Sequence, residues 1–188
     1  MSYLIPTEEL SLAKQEVLRK MAIDAGKNLA AAHNIAALGT LTARDADYVT
    51  DFVPVATSAG IAGWLSMPFV AVGALYSVFA DNVPAAFTYT VLNNQVVVFY
   101  KVNILTIAGP DPASMLFFRT GAAANTKAVF DLESLQTKTM NDGYFSKPVV
   151  YEPQEIATIQ AEARVAIAVG CRIRLGCFII EPLQVTTV

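Results

Sequence analysis

Residues 159–169 alternate between two sides. Ile159, Ala161, Ala163, Val165, Ile167 and Val169 fall on one side, and Gln160, Glu162 and Arg164 on the other. A period of two is what a β-strand with one face in a core produces. Residues 172–180 repeat the design, with Ile173, Leu175, Cys177 and Ile179 opposite Arg172 and Arg174, and the run stops at Pro182. Upstream, Phe87, Tyr89 and Val91 alternate with Ala86, Thr88 and Thr90. Asn93-Asn94 then predicts a tight hairpin into a long strand over 96–107. Gly109-Pro110-Asp111-Pro112 breaks that run, and short strands follow at 115–119 and 127–132, with a turn over 121–125 between them. Asn141-Asp142-Gly143 predicts another turn before a strand at 144–151, which Glu152-Pro153-Gln154 ends. Residues 69–79 read as a buried strand bulged at Gly73.

No helical pattern separates these strands, so nothing could serve as a parallel crossover, and the arrangement is expected to be all antiparallel. About seven or eight strands with connections of mixed length suit a two-sheet β-sandwich of jelly-roll kind, with an immunoglobulin-like Greek key as the alternative topology. The chain start reads differently. Over residues 7–38, Leu10, Val17, Met21, Ala25, Leu29 and Ala32 recur at helical spacing, with Thr7 as N-cap and Glu8 and Glu9 in the first turn. Gly26 predicts one bent helix or two, and Gly39 a stop. The expected division is an N-terminal helical arm and connector over 1–50, an uncharged linker over 51–68, and the β-sandwich over 69–188. The polar stretch 40–51, with Arg44, Asp45 and Asp47, reads as a solvated connector without the spacing of a calcium loop.

Composition sharpens this picture in one respect. Of the 188 residues, 54% are hydrophobic and only 15% charged, against roughly 25% charged in ordinary soluble chains. So little charge leaves apolar surface that subunit contacts could cover. The helical stripe residues Leu10, Val17, Met21 and Leu29, with the single tryptophan Trp64, are the candidate assembly contacts. The net charge of −3, with no basic block, argues against direct nucleic-acid binding. The start Met1-Ser2-Tyr3-Leu4-Ile5-Pro6 lacks a secretory pattern. Residues 52–80 run 29 positions without a charge, formally enough for a bilayer span. Pro54, Pro68, Gly60, Gly63 and Gly73, and the lack of Lys or Arg clusters on the flanks, argue against one.

Catalytic chemistry finds no foothold. His33 is the sole histidine and cannot build a zinc site alone. Cys171 and Cys177 are six apart, which in a straight strand means about 20 Å. They read as two thiols in a reducing compartment. No phosphate loop or nucleophile elbow occurs. Asp131, Glu133, Glu152, Glu155, Glu162 and Glu181 lie on or beside proposed strands, but 16 acids make such coincidences expected. Tyr144 and Tyr151 flank a turn region. The expectation is a non-enzyme without cofactor or metal.

The stretches Asn94-Gln95-Val96-Val97-Val98-Phe99-Tyr100, Met115-Leu116-Phe117-Phe118-Arg119, Ala128-Val129-Phe130-Asp131-Leu132-Glu133, Tyr144-Phe145-Ser146-Lys147-Pro148-Val149-Val150-Tyr151 and Leu175-Gly176-Cys177-Phe178-Ile179-Ile180-Glu181-Pro182 together resemble small jelly-roll structural proteins of tailed bacteriophage heads. The likeness is one of strand rhythm over roughly residues 69–185. It implies a decoration, cement or minor capsid protein, made in the host cytoplasm and located in the virion. Such a protein is typically a homotrimer that binds the major capsid protein. Two alternatives stand beside it: a membrane-anchored β-domain held by residues 52–80, and a carbohydrate-binding sandwich using Glu152 and Glu162.

Overall fold

The computed structural model describes residues 2–46, 67–69, 71–78, 89–106, 113–121, 125–136, 141–165 and 167–183. Strand β1 (Leu4–Pro6) and a 3-10 turn (Thr7–Glu9) lead into helix α1 (Leu12–Ala32) and a second 3-10 turn (Ile35–Leu38). There follow β2 (Leu41–Ala46), β3 (Met67–Phe69), β4 (Leu75–Ser77), β5 (Tyr89–Thr90), β6 (Val96–Thr106), β7 (Ala113–Thr120) and β8 (Asn125–Asp131). A short helix α2 (Glu133–Gln136) precedes β9 (Asp142–Tyr151), β10 (Ile156–Ala163) and β11 (Ile167–Pro182).

Every strand pairing among the described residues is antiparallel. The first sheet runs β1-β9-β6-β11-β2, with β3 also on β11, and the second runs β4-β10-β7-β8, with β5 also on β10. The mainly β, antiparallel architecture with an N-terminal helix is therefore as the sequence predicted. The inner faces of the two sheets share one core. Phe99 and Phe145 of the first sheet meet Phe118 and Phe130 of the second, with ring centroids 5.5 Å apart for Phe99 and Phe118 and 4.3 Å for Phe130 and Phe145. These rings are among the largest fully buried side chains of the protein and pack between the two sheets.

Several expectations need correction, and most fail for one reason: alternation reports which residues face a core, but not which sheet carries them. The run 159–169 is two strands. The chain bends at Arg164 and Val165, so β10 lies in one sheet and β11 in the facing one, both turned toward the same core. Likewise β5 and β6 form no hairpin. Tyr89 and Thr90 pair with β10, and the turn closed by the Gln95 amide on the Leu92 carbonyl (3.1 Å) carries the chain to the other sheet. Residues 69–79 contain two strands, β3 ending at Phe69 and β4 at Leu75–Ser77. Gly73, at φ 74°, lies in the turn before β4 rather than in a bulge. Gly143 belongs to β9 instead of a turn. A Cβ there would sit 2.9 Å from Leu135 Cδ2 and 3.1 Å from the Ile5 carbonyl oxygen, so β1 can pass only because the side chain is absent.

The N-terminal region is built into the same body. Within residues 1–50, expected as an arm and connector, the described residues 2–46 supply β1 and β2 to the first sheet. The polar run Leu41–Ala46 is a strand, because its Arg44 and Thr42 are satisfied by Glu181 on β11. Thr7 starts a 3-10 turn, and the N-cap of α1 is Ser11, whose hydroxyl accepts from the Lys14 amide. The helix is continuous through Gly26 and ends where Asn34 adopts the left-handed conformation at φ 59°. It lies on the outer face of the first sheet, over Val96, Val98, Phe178 and Ile180. The residues it buries fully are Ala22, Gly26 and Ala30. A Cβ on Gly26 would come within 2.6 Å of both Ile180 and Val98, so small residues at every fourth position set this close approach.

Candidate functional site

A phase change in β6 creates the most distinctive surface. Val97 and Phe99 face the core, and so do Val102 and Ile104. The inward positions therefore shift by one between Phe99 and Val102, where the pairing registers with β11 and β9 are both irregular. A β-bulge does this: one extra residue re-aims those that follow it. Val96, Val98 and Tyr100 turn outward under α1, while Lys101 and Asn103 turn outward beyond it.

On that part of the outer face, side chains from three strands come into line. Arg174 of β11 stands opposite Asn103 of β6, which stands opposite Asp142 of β9; Gly176, Lys101 and Tyr144 form the next row. Arg174, Asn103, Asp142, Gly176 and Lys101, together with Asp45 and Ala46 of β2, line an open groove of about 530 Å³. Lys101 Nζ lies 2.6 Å from Asp142 Oδ2 and 5.2 Å from the centre of the Tyr144 ring. Asp45 is paired with Arg19 from α1. Gly176 keeps the floor low: a Cβ there would meet Lys101 Cβ at 3.0 Å and the Tyr100 ring at 3.3 Å.

Tyr100 stacks on Phe178 with centroids 4.7 Å apart. Its hydroxyl is pushed up to about 12, chiefly by burial and next by the Asp45 charge. At the far end of β9, burial and the Glu155 charge also raise Tyr151, whose hydroxyl donates to the Arg119 carbonyl across the sheets at 3.0 Å. Burial works to raise Glu155, but hydrogen bonds from Lys127, the Glu152 amide and Thr120 outweigh it and lower the carboxyl.

No protein-family model and no curated protein matches the chain. The reading of its function therefore rests on its own residues.

The residues singled out from sequence are dispersed. Val17 and Met21 lie on the outward side of α1, 58% and 49% exposed. Leu29 turns toward the sheet and packs beside the helix-covered cluster. Leu10 is half-buried, and its carbonyl accepts from the Gln15 side chain. Trp64 lies outside the described residues. So does most of 52–80; among the described residues no helix is long and apolar enough to cross a membrane. His33 Nε2 lies 3.4 Å from Glu152 Oε2. The remaining acids are engaged separately: Asp131 accepts from the Glu133 amide, Glu133 pairs with Arg164, Glu155 with Lys127, and Glu181 with Arg44 and Gln95. Glu162 sits on β10 between Leu75 and Met115. Cys177 is buried, its thiol donating to the Ala46 carbonyl at 3.5 Å.

Sequence reasoning missed the groove row. Arg174 was visible as an outward residue, but its neighbours are fixed only by register. The lone charge of Lys101 inside the apolar run 96–107 is the signal that could have exposed the bulge.

Proposed function

We propose that this chain is a non-enzymatic structural protein of a virion head, a jelly-roll β-sandwich that self-associates, as a homotrimer, and binds the shell. The observation that carries the reading is strand order. With the short β1, β3 and β5 set aside, the sheets run β9-β6-β11-β2 and β4-β10-β7-β8. Among these eight strands, successive ones change sheet after β2, β4, β6, β8, β9 and β10, and only β7 is followed by a strand of its own sheet. A jelly roll alternates in this way, and viral capsid domains are among its commonest users. The phage-head resemblance of the strands adds to this support.

A second support is surface economy. Only 15% of residues are charged, and Leu12, Val17, Met21 and Leu38 are apolar side chains left at the surface of the N-terminal helical region. Val17 and Met21 neighbour each other on one outward face of α1, which gives a subunit contact an apolar centre. Light scattering on the purified chain tests the reading: the expected mass is three times 20.2 kDa, and the protein is expected to co-purify with empty heads. A monomer absent from particles overturns it.

A further inference from the structure

The groove on the outer face of the first sheet is lined by two bases, Lys101 and Arg174, and two acids, Asp45 and Asp142, and Arg19 beside it brings the region to one surplus positive charge, although the chain as a whole is net −3. Its two carboxylates are already neutralised, Asp45 by Arg19 and Asp142 by Lys101. Arg174 is exposed on the same face, directly across from Asn103, and no carboxylate among the described residues pairs with it. Lys101 commits one direction to Asp142, and an ammonium has three donors.

We propose that this groove is the docking site for an acidic side chain, an aspartate or glutamate presented by a partner protein of the assembly. The guanidinium of Arg174 offers a planar fork matched to a carboxylate. The Asn103 amide and the spare Lys101 donors stand in the neighbouring positions of the same face, and the missing side chain of Gly176 leaves room for the incoming group. A single surplus cation, flanked by two carboxylates, suits one negative charge and disfavours a phosphate dianion. The proposal takes the existence of a partner from the assembly reading and its chemistry from the groove alone.

The test is an NMR titration of the full ¹⁵N-labelled chain with acetyl-Gly-Glu-Gly-amide, run beside acetyl-Gly-Gln-Gly-amide and inorganic phosphate. The expected result is saturable shifts of the Asn103 and Gly176 amides, with a dissociation constant on the order of 1 mM. The glutamine peptide and the exposed-site variant Arg174→Gln should each weaken binding about fivefold, as one exposed charge pair allows. Arg174→Lys should recover part of it. Absence of saturable shifts, equal binding of the glutamine peptide, tighter binding of phosphate, or indifference to Arg174→Gln would each overturn the proposal. A trimer that ignores the peptide removes this site and leaves the assembly reading; a monomer that binds it does the reverse.

Discussion

The first sheet is packed on both faces, and the two faces solve the problem in opposite ways. Toward the second sheet it presents large side chains, Phe99, Phe145 and Tyr151, which interlock with Phe118 and Phe130. Toward α1 it presents Val98 and Ile180, and the helix answers with Ala22, Gly26 and Ala30. One interface is held by volume and the other by closeness. Removing atoms should therefore damage the inner face most, and adding atoms should damage the outer one.

The largest effect is expected from Phe145→Ala, which leaves a cavity beside Phe118 and Phe130. Urea unfolding should show a loss of about 3–5 kcal/mol, and a loss under 1 kcal/mol would mean the rings do not form the structural centre. Adding atoms at Gly26 comes next. In an exposed helix Gly→Ala stabilises by roughly 1 kcal/mol. Here the new Cβ meets Val98, a stiff β-branched residue, and Ile180 at 2.6 Å. Gly26→Ala should lower the unfolding midpoint and Gly26→Val should cost about 1–3 kcal/mol; a stabilised Gly26→Ala protein would contradict the close approach.

The two faces also differ in how they respond to alkali. Tyr100 lies on the helix side and Tyr151 on the inner side, and burial raises both. A raised phenol favours the folded state as long as the unfolded chain keeps its proton. For Tyr100 that stability is complete below pH 10.0, its ordinary value, and is lost as the pH rises through about 12. Denaturation followed from pH 9 upward should be flatter in Tyr100→Phe than in wild type, and an unchanged alkaline limb would remove Tyr100 from the account. The smallest effect on folding is expected from Val17→Ser with Met21→Ser, within about 0.5 kcal/mol. The same double variant should abolish the trimer in light scattering. A trimer that persists would place the subunit contact elsewhere.

How much of this was legible follows from the same contrast. The inward residues of β11, Ile173, Leu175, Cys177 and Ile179, were read correctly because strand periodicity records burial directly. The sheet-facing side of the helix was not legible, because hydrophobicity marks Val17 and Met21, whereas the positions buried against the sheet are the small residues Ala22, Gly26 and Ala30. Sheet membership was invisible at the β10–β11 junction, since both strands turn their apolar side to one core. The groove was hidden more deeply. Arg174, Asn103 and Asp142 are distant in sequence, and only strand register and the β6 bulge bring them into line.

The strand order also bears on how the molecule reaches its native state. β11 pairs with both β6 and β2, and the contact between Cys177 and Ala46 spans 131 residues of chain. The first sheet has no centre until β11 arrives, so β2 and β6 wait unpaired on that side. Contacts of such separation place folding on the order of milliseconds to seconds. Throughout that interval the apolar edges of β6 are open to other chains, and a concentration-dependent loss of refolding yield is the expected cost.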